Sequence, residues 1–391
     1  MTERIEWVRR GCRMLAAIAQ EFERTQPFAG LVVGTGIHLE PKTVALLLTI
    51  KAGGADVVAT GNLNSTQPSA VDYLRAEGLT VIGGPTRDPV ERAGHLREVI
   101  AAEPHVLLDN GGDLFVEWLE RPYDRLIGGT EETTSGRRRL VPLRNRIARP
   151  VLVINDSPIK QFAENRHSVG QAVLESFLRI TNRATNGRRV TVFGYGPCGK
   201  GVAEHFRANH AIVSVVEIDP VGRLEALFDG YAVPDREDAL RDAQIVFTVT
   251  GASDVITAED LDLLGDDVVL ANVGHFPGEI DIAGLLAAAD AVHPTPDAGI
   301  TTLDLGGDRA VHLLGEGHMI NLAGPRAIGN SIESMDLGFS LQARCLEAVA
   351  TGAVGAESWV VPVPRSIDER VARTYVEMTG ATRTVALSTA S

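Results

Sequence analysis

Residues 190–201, VTVFGYGPCGKG, join a β-rich run to a glycine-rich turn, and this stretch decides the fold. Its glycines permit a tight turn and let the backbone approach a pyrophosphate at the start of a following helix. Glu217 ends the next β-rich run, about 20 residues on, where a carboxylate binds both ribose hydroxyls and repels a 2'-phosphate. The stretch predicts an NAD site rather than an NADP site. The alternative is a turn used only for close packing, with Glu217 a solvated strand end.

The same alternation of short β-rich runs and helix-length segments continues on both sides of this stretch. After it come runs at 243–250 and 266–274 and a hairpin-like 301–314. Before it, an earlier series extends from residue 30 to residue 155. Such a rhythm is typical of parallel sheets with crossover helices. We therefore expect an α/β protein with two doubly wound, parallel-sheet (Rossmann-like) domains and a cleft between them.

A chain of 391 residues exceeds the size of one ordinary hydrophobic core, which supports two domains. A discontinuous substrate-binding domain is predicted from residues 1–157 and about 327–391. The NAD-binding domain is predicted at about 185–325, and residues 158–184 form a linking helix or hinge. Apolar positions at helical spacing also predict one amphipathic helix over residues 5–22.

The composition excludes several classes of protein. A net charge of -14 disfavours nucleic acid and anionic membrane surfaces as partners, which leaves a small molecule. The three cysteines lack the spacing of a metal site or a disulfide framework, so no metal is expected. No signal peptide is recognised at the start of the chain. These features predict a cytoplasmic protein that binds a small molecule.

Eight separate strings resemble the S-adenosylhomocysteine hydrolase (adenosylhomocysteinase) family, in the family's order. They are NLNSTQ (62–67), LLDNGGDL (107–114), GTEETTSG (129–136), INDSPIKQFAEN (154–165), GYGPCGKG (194–201), EIDP (217–220), ANVGHF (271–276) and EGHMINL (316–322). The resemblance implies a redox-neutral mechanism: NAD oxidises the ribose 3'-hydroxyl, the C4' proton becomes acidic, and the 5'-substituent is expelled. It also implies a homo-oligomer, a dimer or a tetramer.

The resemblance assigns catalytic roles to six residues. Lys160 lies beside the 3'-oxygen and must be partly neutral to accept a proton, which requires a lowered pKa. Glu132 and Glu164 hold the sugar, although the family has aspartate at position 164. His38 and His275 lie near C4' and C5' and transfer protons there. The sixth residue is Asn110.

The resemblance also assigns binding residues. Those predicted for the cofactor are Gly194, Gly196, Pro197, Cys198, Gly199, Glu217, Thr133, Thr134, Ser135, Asn165, Thr250, Gly251, Val273 and Asn321. Those predicted for the substrate are Glu40, Lys42, Thr43, Asn330 and Met335.

The sequence departs from the family where the base and the leaving group are handled. Glu40 and Lys42 replace the residues that read adenine, and Asn330 lies in a changed Gly-His-Pro segment. Asn110 replaces an aspartate that supports the catalytic histidine. An intact oxidation machinery beside altered base and leaving-group residues indicates a new substrate within one mechanism. The chain thus resembles the nucleoside dehydratase of angustmycin-type antibiotic biosynthesis, which eliminates water, and a protonated His38 or His275 would serve as the acid.

Three alternatives remain at this point. The first is thioether hydrolysis of S-adenosylhomocysteine or its inosine analogue, in which Lys42 would suit a base carbonyl. The second is a non-catalytic, NAD-binding regulatory protein, although such a protein needs none of Lys160, Glu132, His275 and Asn165. The third is a dehydrogenase that releases an oxidised product.

Overall fold

The computed structural model describes residues 2–275 and 277–380. Phe276, the last residue of the ANVGHF string, and residues 381–391 lie outside this description. The chain divides into two compact units. The first unit is Met1–Gln161 with Ile332–Ser391, and the second is Phe162–Ser331. The linking segment predicted at residues 158–184 therefore lies in the second unit from residue 162 onward.

The β-strands form two sheets. They are β1 (Val32–Ile37), β2 (Asp56–Gly61), β3 (Thr80–Ile82), β4 (Val106–Asp109), β5 (Gly128–Glu131), β6 (Val151–Val153), β7 (Arg189–Phe193), β8 (Ile212–Val216), β9 (Ile245–Thr248), β10 (Val268–Asn272), β11 (Ala291–Thr295), β12 (Ile300–Asp304), β13 (Ala310–Leu314) and β14 (Val361–Pro362).

The α-helices connect these strands. They are α1 (Thr2–Gly11), α2 (Arg13–Thr25), α3 (Pro41–Ala52), α4 (Pro68–Ala76), α5 (Pro89–Ala101), α6 (Asp113–Glu120), α7 (Thr134–Leu140), α8 (Arg144–Ile147), α9 (Val169–Thr181), α10 (Pro197–Ala208), α11 (Pro220–Phe228), α12 (Arg236–Asp242), α13 (Ile282–Ala288), α14 (Ile332–Ala350) and α15 (Arg365–Met378).

The sheet of the first unit has the order β14-β6-β5-β4-β1-β2-β3, and all its strand pairs are parallel. The connections run to one side after β1 and to the other side after β4. Ligands of open α/β sheets bind beyond the carboxyl ends of the strands at such a switch in strand order. A ligand site is therefore expected at the residues that follow β1 and β4.

The sheet of the second unit has the order β11-β12-β13-β10-β9-β7-β8. Its pairs are parallel except at one edge, where β12 runs antiparallel to both β11 and β13. The strand order switches between β7 and β9. Phe177, Phe206 and Phe247 pack edge-on or tilted against one another in the core beneath this switch. The α/β fold with two doubly wound, mainly parallel sheets is thus confirmed.

The amino-terminal helix predicted over residues 5–22 is instead two helices, α1 and α2, which meet at Cys12. The carboxylate of Asp336, on α14, accepts the backbone N–H groups of Met14 (2.8 Å) and Leu15 (2.9 Å). It caps the start of α2, where such groups lack a partner within the helix. Trp7, one of the apolar positions on which the prediction of a single amphipathic helix rests, is 71% exposed. Helical periodicity depends on residues close together in the sequence, so it cannot predict a cap that comes from so distant a residue.

The linking helix predicted at residues 158–184 also has two parts. Lys160–Ser168 form a π-helix, and α9 follows it. π-Helical turns are rare and occur frequently at functional sites. Within the described residues, no helix is both long and apolar enough to cross a membrane.

Candidate functional site

In the first unit, polar residues directly follow the carboxyl ends of adjacent strands. His38 follows β1, Asn62 follows β2, Asn110 follows β4 and Glu132 follows β5. The strand register aligns Asp109 with Glu131 on one side and with Gly36 on the other. The side chains after these strands therefore meet at one edge of the sheet, at its switch in strand order.

The buried ion pair of Lys160 and Glu132 lies at the centre of this group. The Lys160 Nζ atom donates to Glu132 Oε1 at 2.9 Å, and both residues are buried. Asn110 Nδ2 donates to the other carboxylate oxygen of Glu132 at 2.6 Å. Burial raises the pKa of Glu132, but the charge of Lys160 and the hydrogen bonds from Lys160 and Asn110 outweigh it, so the net pKa is lowered. Glu132 is therefore an ionised acceptor.

His38 belongs to the same group. Its Nδ1 atom lies 2.5 Å from the Ser65 hydroxyl, and its backbone oxygen accepts the Thr43 hydroxyl at 2.6 Å. Thr43 therefore positions the His38 backbone. A positive charge on His38 also lowers the pKa of Glu132. The structure thus brings together four of the predicted catalytic residues: His38, Asn110, Glu132 and Lys160.

Glu40 and Lys42 form a second buried ion pair at the start of α3. Lys42 Nζ lies 3.0 Å from Glu40 Oε2, and both side chains are less than 10% exposed. Burying two charges is costly unless they are paired, so the contact between these two side chains offsets part of that cost. The residues that the sequence places in base recognition are therefore coupled to one another.

Two buried carboxyl groups beneath Asn110 and Glu132 escaped sequence reasoning. Asp109 accepts the backbone N–H of Asn110 at 2.9 Å. Glu131 accepts the N–H groups of Gly111 (3.0 Å), Gly112 (2.9 Å) and Thr133 (2.7 Å). Burial raises the pKa of Asp109 to about 7 and that of Glu131 to about 8, and the negative charge of a neighbouring carboxylate adds to each shift. Both residues lie inside the strings LLDNGGDL and GTEETTSG, which was the available signal.

In the second unit, the glycine-rich turn lies between β7 and α10, as predicted. Gly194 has a φ of +100°, which L side chains rarely adopt. A Cβ atom on Gly199 would lie 2.0 Å from the Gly194 oxygen, so position 199 also requires glycine. A Cβ atom on Gly196 would meet nothing within 4 Å, because this side of the turn is open. The turn therefore leaves room in front of the N-terminus of α10, which begins at Pro197 and continues through Cys198.

Glu217 follows β8 beside this turn. Its carboxylate accepts the backbone N–H groups of Tyr195 at 2.7 Å and Asp219 at 2.9 Å. These bonds orient a carboxylate next to the open face of the glycine turn. A carboxylate in this position fits the hydroxyls of the adenosine ribose of NAD, and its negative charge opposes a 2'-phosphate.

Thr250, Gly251 and Val273 follow the adjacent strands β9 and β10. Glu279, a fully buried residue that sequence reasoning missed, accepts the N–H groups of Thr250 and Gly251, each at 2.8 Å. Burial raises the pKa of Glu279 despite these donors. A Cβ atom on Gly274 would lie 1.6 Å from Glu279 Oε1. Glu279 thus fixes the loops beyond both strands.

His275 lies on the loop after β10. Buried Asn272 organises this loop, since its Oδ1 accepts the Gly274 N–H at 2.8 Å and its Nδ2 donates to the Gly274 oxygen at 3.1 Å. Asn272 is a further residue that sequence reasoning missed, although it lies inside the ANVGHF string. The proton-transfer role of His275 stays a prediction.

Three predicted residues of the second unit meet in one chain of contacts. Asn330 Nδ2 lies 3.4 Å from Glu164 Oε1, and Asn321 Nδ2 lies 3.3 Å from Asn330 Oδ1. The Oδ1 atom of Asn321 is buried and accepts no hydrogen bond from the part of the chain that the structure describes. An orphaned buried acceptor fits a donor from a bound molecule, such as a carboxamide. Asn165 lies on the same π-helical turn as Glu164.

The remaining predicted residues belong to the first unit. Thr133 caps α7, and its hydroxyl also contacts Glu131 (2.7 Å) and Ser135 (3.0 Å). Thr134 is exposed, and Met335 is buried on α14. Their predicted contacts with cofactor or substrate stay predictions.

The chain is similar to known proteins along most of its length. Residues 165–327 match the family described as S-adenosyl-L-homocysteine hydrolase, NAD binding domain. An adenosylhomocysteinase of Thermotoga maritima is 38% identical over 384 residues, which cover 96% of this chain and 94% of the relative. The chain belongs to the adenosylhomocysteinase family. An S-inosyl-L-homocysteine hydrolase of Methanopyrus kandleri is 37% identical over 96% of this chain and 90% of the relative.

Membership of the adenosylhomocysteinase family confirms the predicted resemblance and the NAD cofactor. The second unit contains the NAD-binding domain, with the glycine turn, Glu217 and Asn321 in it. Among solved structures, a dipicolinate synthase chain of Bacillus halodurans has a TM-score of 0.51 at 13% identity, with 83% of this chain and 99% of that chain covered. This likeness concerns the fold alone.

Proposed function

We propose that this member of the adenosylhomocysteinase family eliminates water from the 5'-position of a nucleoside, in a redox-neutral reaction. One observation carries the proposal: the buried Lys160–Glu132 pair is complete, whereas the group that contacts its carboxylate is the amide of Asn110. This arrangement supports an oxidation step like that of the family and an acid–base step that differs from it.

The glycine turn and Glu217 would hold NAD, which would supply reversible hydride transfer at the carbon that carries the 3'-hydroxyl. Glu132, as an ionised acceptor, would hold the ribose hydroxyls. Lys160, which is charged while it pairs with Glu132, would take the proton of the 3'-hydroxyl after its ammonium group has lost a proton. The ketone that results makes the C4' proton acidic enough for removal by a positioned base, which a C4' proton without an adjacent carbonyl is not.

Departure of a hydroxyl requires a proton donor, because hydroxide is a poor leaving group. We assign this role to His38, whose Nδ1 atom is held by Ser65. A neutral amide at position 110 attracts the imidazolium proton less than an aspartate would. The substitution therefore favours transfer of that proton to the departing hydroxyl.

The experiment is mass spectrometry of psicofuranine, adenosine and S-adenosylhomocysteine, each incubated with the protein and NAD in deuterium oxide. The expected result is loss of one water from a nucleoside, deuterium at C4' of recovered substrate and no net NADH. Recovery of both nucleosides unchanged, with release of homocysteine from the third compound, would overturn the proposal. Such a dehydration would belong to nucleoside-antibiotic biosynthesis, in a pathway of the angustmycin type.

A second candidate function is hydrolysis of an S-nucleosyl homocysteine. It is favoured by the names of the relatives and by the buried Glu40–Lys42 pair, whose lysine would suit a base carbonyl. A thiol reagent applied to S-adenosyl- and S-inosyl-homocysteine in parallel tests it. Homocysteine from either compound supports hydrolysis, and faster release from the inosine compound supports the role of Lys42.

A further inference from the structure

A continuous chain of side-chain hydrogen bonds runs through the first unit from Arg92 to Lys160. Arg92 Nη2 donates to Asn62 Oδ1 at 2.8 Å, and Asn62 Nδ2 donates to Asn110 Oδ1 at 3.1 Å. Asn110 Nδ2 donates to Glu132 Oε2 at 2.6 Å, and Lys160 donates to Glu132 Oε1. The residues come from separate segments of the sequence that meet only in the folded sheet.

The chemistry of the two ends gives this chain a direction. Arginine and lysine only donate hydrogen bonds, and an ionised carboxylate only accepts them. Arg92 therefore faces the oxygen of Asn62, which turns the Asn62 nitrogen toward Asn110. Glu132, from the other end, requires the nitrogen of Asn110. The hydrogen bonds of Arg92 and of Glu132 are thus satisfied by the same orientations of the Asn62 and Asn110 amides.

Arg92 is itself held in place. It extends from α5, its side chain is 13% exposed, and its Nη2 atom also donates to Asp113 Oδ2 at 2.7 Å. Asp113 contacts Arg139 as well, through its other oxygen. Both hydrogens of Arg92 Nη2 are therefore used, one on Asp113 and one on Asn62.

We propose that Arg92 and Asn62 are positioning residues, which hold Asn110 with its amide nitrogen on Glu132 and so keep Glu132 an ionised acceptor for the ribose hydroxyls. The inference rests on the proposed function, because it assigns Glu132 to the sugar. It explains how an amide can stand where the family has an aspartate: two neighbouring carboxylates would need a shared proton, whereas a correctly oriented amide needs none.

The charges around Glu132 support this assignment. Lys160 and His38 lower the pKa of Glu132, and the hydrogen bond from Asn110 lowers it further, against the effect of burial. Asp109 and Glu131 are the other titratable groups at the ends of β4 and β5. Reversal of the Asn110 amide would replace a donor by a carbonyl oxygen and would thus favour protonation of Glu132.

The variant Asn62→Asp tests the direction of the chain. An aspartate at position 62 still accepts from Arg92 but presents an oxygen to Asn110, which must then turn its own oxygen toward Glu132. The acid limb of the pH profile of kcat/KM should move up by about one to two pH units, the size expected for loss of a hydrogen bond to a charged group. The matched control is Arg139→Ala, which removes a partner of Asp113 without contact to Asn62, and its profile should match the wild type.

A second readout does not depend on turnover. Adenosine binding to the NAD-free protein, measured by calorimetry across the same pH range, should lose affinity at a higher pH in Asn62→Asp than in the wild type. If Asn62→Asp does not fold, Asn62→Ala provides the test. It should shift the acid limb of kcat/KM and the pH dependence of adenosine binding in the same direction, by a smaller amount.

The outcomes separate the two ideas. A wild-type protein that neither binds nor converts any nucleoside refutes the proposed function. If the wild type binds or converts a nucleoside, and the folded Asn62 variants keep the wild-type pH dependence of kcat/KM and of adenosine binding, the positioning role alone is refuted. An equal shift in Arg139→Ala would also refute it, because that result would trace the shift to the general loss of charge around Asp113.

Discussion

The ammonium group of Lys42 lies 3.0 Å from the carboxylate of Glu40, and both side chains are buried at the start of α3. Removal of one partner from a buried ion pair leaves an uncompensated charge. We therefore expect Lys42→Met to lower the free energy of unfolding by about 3–5 kcal/mol. The double variant Glu40→Gln/Lys42→Met should lie close to the wild type. Urea unfolding measures both, and a single variant as stable as the wild type would contradict the coupling.

Lys160→Met should slow the oxidation step strongly, because it removes the amine assigned to accept the proton of the 3'-hydroxyl. A general base contributes roughly 10²- to 10⁴-fold, so a loss of this size is expected in the rate of NADH formation in a single turnover. Absorbance of NADH after rapid mixing with nucleoside provides the measurement. Lys51→Met, at an exposed position of α3, is the control and should retain the wild-type rate. Wild-type NADH formation by Lys160→Met would remove Lys160 from the mechanism.

Glu217→Gln should weaken NAD binding and reduce the preference over NADP. The glutamine keeps the size of the side chain but removes the negative charge that favours ribose hydroxyls and repels a 2'-phosphate. A loss of about tenfold in NAD affinity is expected, the order of one hydrogen bond to a charged group. Calorimetry with both cofactors tests this, with Glu225→Gln on exposed α11 as the control. An unchanged ratio of NAD to NADP affinity would show that the adenosine ribose does not bind at Glu217.

Asp109 and Glu131 should make the protein less stable as the pH rises. Burial raises the pKa of Asp109 to about 7 and that of Glu131 to about 8, whereas unfolded carboxyl groups ionise near pH 4. Between about pH 4 and pH 7 the native pair therefore holds protons that the unfolded chain has lost, and the stabilisation present in acid is lost through this window. One retained proton corresponds to a slope of about 1.4 kcal/mol per pH unit.

The variant Asp109→Asn isolates this effect from other titrating groups. The difference in unfolding free energy between wild type and variant, measured with urea at a series of pH values, should change across the window and level off above about pH 8. Parallel curves for the two proteins would show that the pair holds no such proton.

Much of the site was accessible from sequence because its signals are local. The turn at Gly194–Gly199 and the carboxylate at Glu217 depend on a strand, a tight turn and a helix in immediate succession. Lys160 and Glu132 were found through the strings around them, and the structure places them 2.9 Å apart. Each of these signals lies within a few residues of the group that it predicts.

Arg92 and Asp336 had no such signal, and Asn62 had only the NLNSTQ string around it, which does not indicate its partners. Asn62 meets Asn110 only because β2, β1 and β4 are neighbours in the sheet, and Arg92 reaches Asn62 from α5. Asp336 caps the start of α2 from 322 residues away in the sequence, which helical periodicity cannot predict. The sequence by itself determined which short segments are strands, turns and cofactor-binding loops, since backbone preferences act between near neighbours. Only the tertiary structure decided which polar groups share hydrogen bonds, because strand order and helix packing bring them together.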